Sequence, residues 1–278
     1  MKTINIFLAA VAAIIAISCN KDVRMAMPEA EKMPCTPISF NVDGVYLDFA
    51  TKVDVVTSLE SFNVIASTGT AGSEEMTWST VANKSGDSYV TNKYWPRNDP
   101  QYHFYASNNA MTFKPIGPTV VVDGTVDVVC ADKRNTIFNA PTNLDFYHVM
   151  SRLGTVAVSS TTGYEITGLS IVLNNVKTTG TYNLYSKGWT NQNLVQELAV
   201  QNGSNDLYLL PGSYQMSLEF TLVKGDYSGT FSGSGTVDFT AGKISNVSID
   251  IVKDPAVVVR FGVSVADWAQ KAVSLTLS

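Results

Sequence analysis

The chain has 278 residues, enough for one large domain or two medium ones. Only 15% of them are charged, against a usual level of about 25%, while Ser and Thr hold 53 positions and Val 33; hydroxyls more than charges cover the surface, and strands are favoured. The net charge of -5 gives no attraction for nucleic acid, two His are too few for a His-built metal site or proton relay, and three scattered Cys make neither a zinc ribbon nor a dense disulfide framework.

Met1-Lys2 is a short basic start, and residues 4–17 are apolar apart from Asn5. The run is too short to span a bilayer and reads as a secretory signal over 1–18. Its end, Ala16-Ile17-Ser18-Cys19, resembles a bacterial lipoprotein box, with a small residue just before the cysteine. In that class the Cys19 thiol is acylated and becomes the first mature residue, so acyl chains hold the protein on a membrane. Residues 20–37 carry three Met and Pro28, Pro34 and Pro37 without a core pattern; they read as a spacer.

Strands follow in series. Ile38, Phe40 and Val42 alternate with polar residues until Asp43-Gly44 breaks the run. Residues 53–66 form a second strand region, and 78–84 with 89–94 form a hairpin around Ser85-Gly86-Asp87. Tyr102-His103-Phe104-Tyr105 is a short aromatic strand, and 120–122 with 126–130 read as a hairpin around Asp123-Gly124. From Phe146 onward, 155–159, 165–173, 180–185, 207–210, 214–223, 229–239, 244–252, 256–265 and 272–278 are strand candidates. Residues 193–200, with Leu194, Val195, Leu198 and Ala199 at helical spacing, are the best helix candidate. Short strands in regular succession with hardly any helix predict an all-β chain of two stacked β-sandwiches, 53–144 and 145–278, with Thr142-Asn143 near the junction.

Chemistry is sparse. His103 lies between Tyr102 and Phe104, and His148 follows Tyr147; in strands such residues are packed or at edges. Ser151 near His148 has no nucleophile elbow, so no enzyme activity is expected. Asp123, Asp127 and Asp132 do not have the spacing of a calcium loop, and neither a metal nor a cofactor is expected. Cys35 and Cys130 are open to pairing in an oxidising periplasm, and two unpaired thiols are the preferred reading.

The order of these features resembles the fimbrillin-type pilins of Bacteroidales, the type V pilus family, over essentially the whole chain. The resemblance rests on the lipoprotein start, the strand at 38–42, Lys52 before Leu59-Glu60-Ser61-Phe62-Asn63-Val64, and Tyr94-Trp95-Pro96 leading to Tyr102-His103-Phe104-Tyr105-Ala106. Leu144-Asp145-Phe146-Tyr147-His148-Val149-Met150-Ser151-Arg152-Leu153 is its most specific piece; Leu210-Pro211-Gly212-Ser213-Tyr214 and Val237-Asp238-Phe239-Thr240-Ala241-Gly242-Lys243 follow. The resemblance implies two tandem transthyretin-like β-sandwiches and transport to the outer membrane as a lipoprotein. It implies a trypsin-like protease that removes the N-terminal segment with its first strand, and other pilin subunits as partners. The groove so exposed takes a strand from the C-terminal end of a neighbour.

On this reading the removable segment is 19–52, with Ile38, Phe40 and Val42 in its strand, and the scissile bond is Lys52-Val53, where Lys stands in place of the family's frequent Arg. A cut at Arg24 instead would free the lipid tether and leave the strand in place. The donor is 272–278, in which Val273, Leu275 and Leu277 repeat the period-two pattern of the strand they replace. This makes the chain a stalk or anchor subunit of a surface fimbria that contributes to adhesion. The alternative is a monomeric outer-membrane lipoprotein that binds glycans through exposed aromatics, Tyr94 and Trp95 first.

Overall fold

The structure is a computed structural model that describes residues 36–46, 59–70, 72–96, 101–134, 138–253 and 256–267. All seventeen elements among them are strands: β1 (Pro37–Tyr46), β2 (Ser61–Thr68), β3 (Glu75–Ser85), β4 (Ser88–Tyr94), β5 (His103–Ser107), β6 (Met111–Lys114), β7 (Gly117–Val122), β8 (Val129–Arg134), β9 (Thr142–His148), β10 (Ser151–Ser160), β11 (Glu165–Asn183), β12 (Gly188–Val200), β13 (Gly203–Leu209), β14 (Gly212–Lys224), β15 (Tyr227–Phe239), β16 (Lys243–Lys253) and β17 (Val257–Asp267). The chain is all-β, as its alternation requires.

The first sheet closes on itself in the order β1-β4-β3-β2-β5-β8-β9, with β9 returning to β1. β1 runs antiparallel to β4, with Phe40 beside Tyr89, and parallel to β9, with Phe40 beside Thr142 and Tyr46 beside Tyr147. Side chains that alternate inward along these strands fill the interior: Ile38, Phe40, Phe62, Val64, Phe104, Leu144 and Phe146. β2 and β5 are buried on both faces, because Ile65 and Tyr105 point out of the barrel into a second apolar cluster with Val120, Val122, Tyr182 and Leu184. That cluster joins the barrel to the rest of the chain.

The later strands form two facing sheets. One has the order β13-β10-β16-β17; the other runs β15-β14-β11-β7-β6, with β12 also paired to β11. Leu153, Leu173, Met216, Phe220, Ile249 and Ile251 pack between them. β11 takes the β6–β7 hairpin onto its C-terminal end, where Gly180 pairs with Val122 and Asn183 with Thr119. A strand pair from the first half of the chain thus extends a sheet of the second half, and residue 145 lies inside β9.

Two local expectations are corrected. Residues 193–200 are not a helix but the end of β12, paired antiparallel to β11 with Val195 beside Val176 and Leu198 beside Leu173. Residues 194–200 pair in unbroken register with 171–177, and the register shifts of this pair, at Lys177/Thr179 and Thr179/Thr181, lie beyond that stretch. Leu194 stays 55% exposed, so no helix-like apolar stripe is buried. Residues 120–122 and 126–130 do not pair with each other: β7 joins β6 and β11, whereas β8 joins β5 and β9. The Thr125 amide and hydroxyl both donate to Asp123 Oδ1, at 3.0 and 2.6 Å, and Gly124 follows with φ 76°. This Asx turn redirects the chain from one sheet to the other.

β17 lies at an edge, and its core-facing Val259 and Phe261 settle over glycines of β15. A Cβ at Gly235 would fall 2.6 Å from the Phe261 ring. Gly235→Val is therefore expected to destabilise the protein by about 1–3 kcal/mol through overpacking, read as a lower midpoint in urea unfolding. An unchanged midpoint would show that β17 does not pack against β15 in solution.

Candidate functional site

The candidate site is the slot that β1 fills. As the first strand in sequence, β1 has both its partners far along the chain, and it leads into residues 47–60 rather than into a hairpin with a neighbour. Its extraction needs no threading and breaks no connection between other strands. Inside the slot Ile38 and Phe40 are fully buried and Val42 is half-buried against the same cluster. The Phe40 ring meets Phe104 edge-on at 5.1 Å and Phe62 at 5.9 Å. Phe62 in turn meets Phe146 at 5.0 Å, so β1 supplies one member of a continuous aromatic stack.

Polar contacts fix the strand's register. The Trp95 amide donates to the Thr36 carbonyl at 2.9 Å and the Thr91 hydroxyl to the Ile38 carbonyl at 2.9 Å. On the outer face the Asn41 amide donates to Asn143 Oδ1 at 3.0 Å. The sequence does not mark Thr91 or Asn143 as a partner of β1, because strands distant in the chain bring them to it. Without β1 the slot would leave two unpaired strand edges and the apolar pockets of Ile38 and Phe40 open to water.

The other sequence candidates fall elsewhere. Cys19, Lys52, Val53 and Val273, Leu275 and Leu277 lie outside the described residues, as does Cys35. Cys130 is a free thiol, fully buried, and burial pushes it up to about 12. Most of the expected glycan platform is buried: Trp95 is only 2% exposed and packs against Phe104 and Phe138, Tyr102 and Tyr105 are also buried, and Tyr94 is half-buried. The buried aromatics are core because alternation turns them inward or into the cluster beside the barrel.

Nor do His148 and Ser151 form a nucleophile–base pair. His148 Nδ1 lies 2.7 Å from Asp127 Oδ2, and the Ser151 hydroxyl donates to the Leu209 carbonyl at 2.9 Å. Of the three Asp considered for calcium, Asp123 is taken by Thr125, Asp127 by His148, and Asp132 by Lys187 and His103.

His103 belongs to an ionic network that rims the cluster beside the barrel. Its Nδ1 lies 2.8 Å from Glu74 Oε1 and its Nε2 3.5 Å from Asp132 Oδ2. Glu74 also accepts from Tyr105 and Ser67, at 2.8 and 2.9 Å, and pairs with Arg134 at 2.9 Å. Lys187, at the β11–β12 turn, pairs with Asp132 and donates to the Tyr147 hydroxyl at 2.6 Å, tying that hairpin to the barrel. Burial alone would raise both carboxyls; for Glu74 the hydrogen bonds from His103 and Tyr105, and for Asp132 those from His103 and Lys187, outweigh it and hold each below its ordinary value.

Three comparisons bear on this geometry. A family described as fimbrillin-like matches residues 50–268, a span that starts beyond β1 and includes Lys52. Three solved structures named as cell adhesion proteins share the fold. That from Bacteroides uniformis is 15% identical, covering 87% of this chain and 100% of its own at a TM-score of 0.50. That from Bacteroides ovatus is 14% identical over 86% and 100%, with a TM-score of 0.51. That from Parabacteroides distasonis is 13% identical over 86% and 98%, with a TM-score of 0.55. No curated protein matches the chain.

The network gives a pH dependence with a definite sign. Glu74 and Asp132 have depressed folded values, so their contribution is complete above the ordinary carboxylate range of about 4 and is lost as pH falls through the folded values. Asp132→Asn should lower stability at pH 7 and flatten its decline below about pH 4, measured by urea unfolding across pH. A parallel offset at every pH would show that the carboxylate's charge is irrelevant.

Proposed function

Because the chain belongs to the fimbrillin-like family, we propose that it is a structural subunit, stalk or anchor, of a surface fimbria and contributes to adhesion through its polymer. It reaches the outer membrane as a lipoprotein acylated at Cys19 and stays unassembled while β1 occupies its own slot. A trypsin-like protease that accepts lysine cuts Lys52-Val53, and β1 leaves with the lipid-bearing segment. Val273, Leu275 and Leu277 of a neighbouring subunit then enter the slot. The chain comprises two tandem transthyretin-like units divided near residue 145, bridged by the β6–β7 hairpin.

One observation carries the reading. A terminal strand closes the barrel between β4 and β9, with two fully buried side chains and no hairpin to either flanking strand. Once the strand is gone, a donor restores both the burial and the backbone hydrogen bonds, so assembly runs downhill after cleavage. The family match that begins at residue 50, past β1, supports the same division.

Limited trypsin treatment of the purified full chain should cut after Lys52 and yield oligomers on size-exclusion chromatography. Deleting 272–278 should abolish them while the body keeps its strand signature in circular dichroism. Polymers that form equally well without the tail would overturn donor exchange by that segment. Separately, Cys19→Ala should move the protein from the membrane to the soluble fraction.

A further inference from the structure

The slot contains two buried polar atoms that β1 does not satisfy. Trp95 Nε1 and Thr142 Oγ1 have no hydrogen-bond partner among the described residues, and their residues are 2% and 3% exposed. Both flank β1. Trp95 holds the start of the strand through its amide and the Thr36 carbonyl, and Thr142 is the β9 residue beside Phe40. Both face the interior that Ile38 and Phe40 fill: the Trp95 ring lies within the core cluster, and Thr142 alternates inward with Leu144 and Phe146. Buried groups of this kind are nearly always paired in folded proteins, so two beside one removable strand require an explanation.

We infer that this end of the slot is a hydrogen-bonding subsite, and that the preferred incoming strand carries a side-chain oxygen at an inward position where β1 carries only hydrocarbon. The inference rests on the strand-exchange reading. An indole N–H can only donate and a threonine hydroxyl can do either, so the complement is an acceptor: a Ser or Thr hydroxyl, or an Asn or Gln amide oxygen. A carboxylate fits poorly, since the surrounding cluster is apolar and aromatic.

Two consequences follow for assembly. The leader strand leaves two polar groups unpaired, one beside Thr36 and one beside Phe40, so a strand that pairs either of them binds better than the one it replaces, and exchange acquires a direction. The chain's own tail presents Val273, Leu275 and Leu277 and would leave the same groups unpaired. The subsite therefore ranks a strand from a different subunit above a second copy of this one, a discrimination made by a penalty on the wrong partner.

The test uses the full chain cleaved at Lys52 and freed of its leader. Four peptides are titrated into it by fluorescence anisotropy: residues 268–278 as they stand, and the same peptide with Val273→Thr, Leu275→Asn or Leu277→Asn. At least one substituted peptide is expected to bind about tenfold more tightly than the parent. That advantage should vanish in a Thr142→Val, Trp95→Phe protein, or in Thr142→Val alone should the double variant not fold. All three substituted peptides binding more weakly than the parent, to the native and altered slots alike, would overturn the subsite. A different result marks failure of the underlying reading: neither the parent peptide nor one spanning residues 36–46 binds the cleaved body.

Discussion

A barrel that closes through its own first strand has no free edge only while that strand stays in place. β1 pairs on one side with β4 and on the other with β9, and its inward Phe40 completes the aromatic stack through Phe62 to Phe146. Backbone pairing and side-chain burial thus depend on one ten-residue element that is covalently attached at its C-terminal end alone to the rest of the barrel. A strand in the middle of the sequence could not be released by a single cut, and a strand with an exposed inner face would leave nothing for a donor to restore.

The barrel is not isolated from the later sheets. β9 turns Phe146 into the barrel and Tyr147 out toward Tyr182 and Lys187, then runs through Val149 and Met150 into β10. The strand that borders the slot is therefore also the strand that meets the second half of the chain. Asp132, Lys187, His103 and Glu74 rim the apolar contact with paired charges. Pairs of this sort fix geometry more than they add stability, since desolvation offsets much of their attraction.

How much of this was legible in the sequence varies with the range of the forces involved. Strand positions were readable because period-two alternation is local: β14 and β15 turn at Gly225-Asp226, and β3 and β4 turn at Gly86-Asp87, where the sequence placed them. The inward pattern of Ile38, Phe40 and Val42 was equally plain. Pairing between distant strands was not. Nothing near Val120 says that β7 will join β11 some sixty residues later, and nothing near Leu194 says that β12 will extend along β11 instead of coiling. Tyr94 and Trp95 read as a surface platform in isolation, yet Phe104 and Phe138 cover the indole. Glu74, Lys187 and Thr91 have no local mark for the same reason: each takes its role from a residue far off in the chain.

The central claim is that β1 is a separable part whose place can be left and refilled. Hydrogen exchange measured by mass spectrometry on the chain cleaved at Lys52 tests it most directly, with and without a synthetic peptide spanning residues 36–46. The account predicts that departure of the leader raises exchange in β4 and β9 while β14 and β15 stay protected, and that the added peptide restores protection in a saturable way. Undiminished protection of β4 and β9 in the leaderless protein would contradict it.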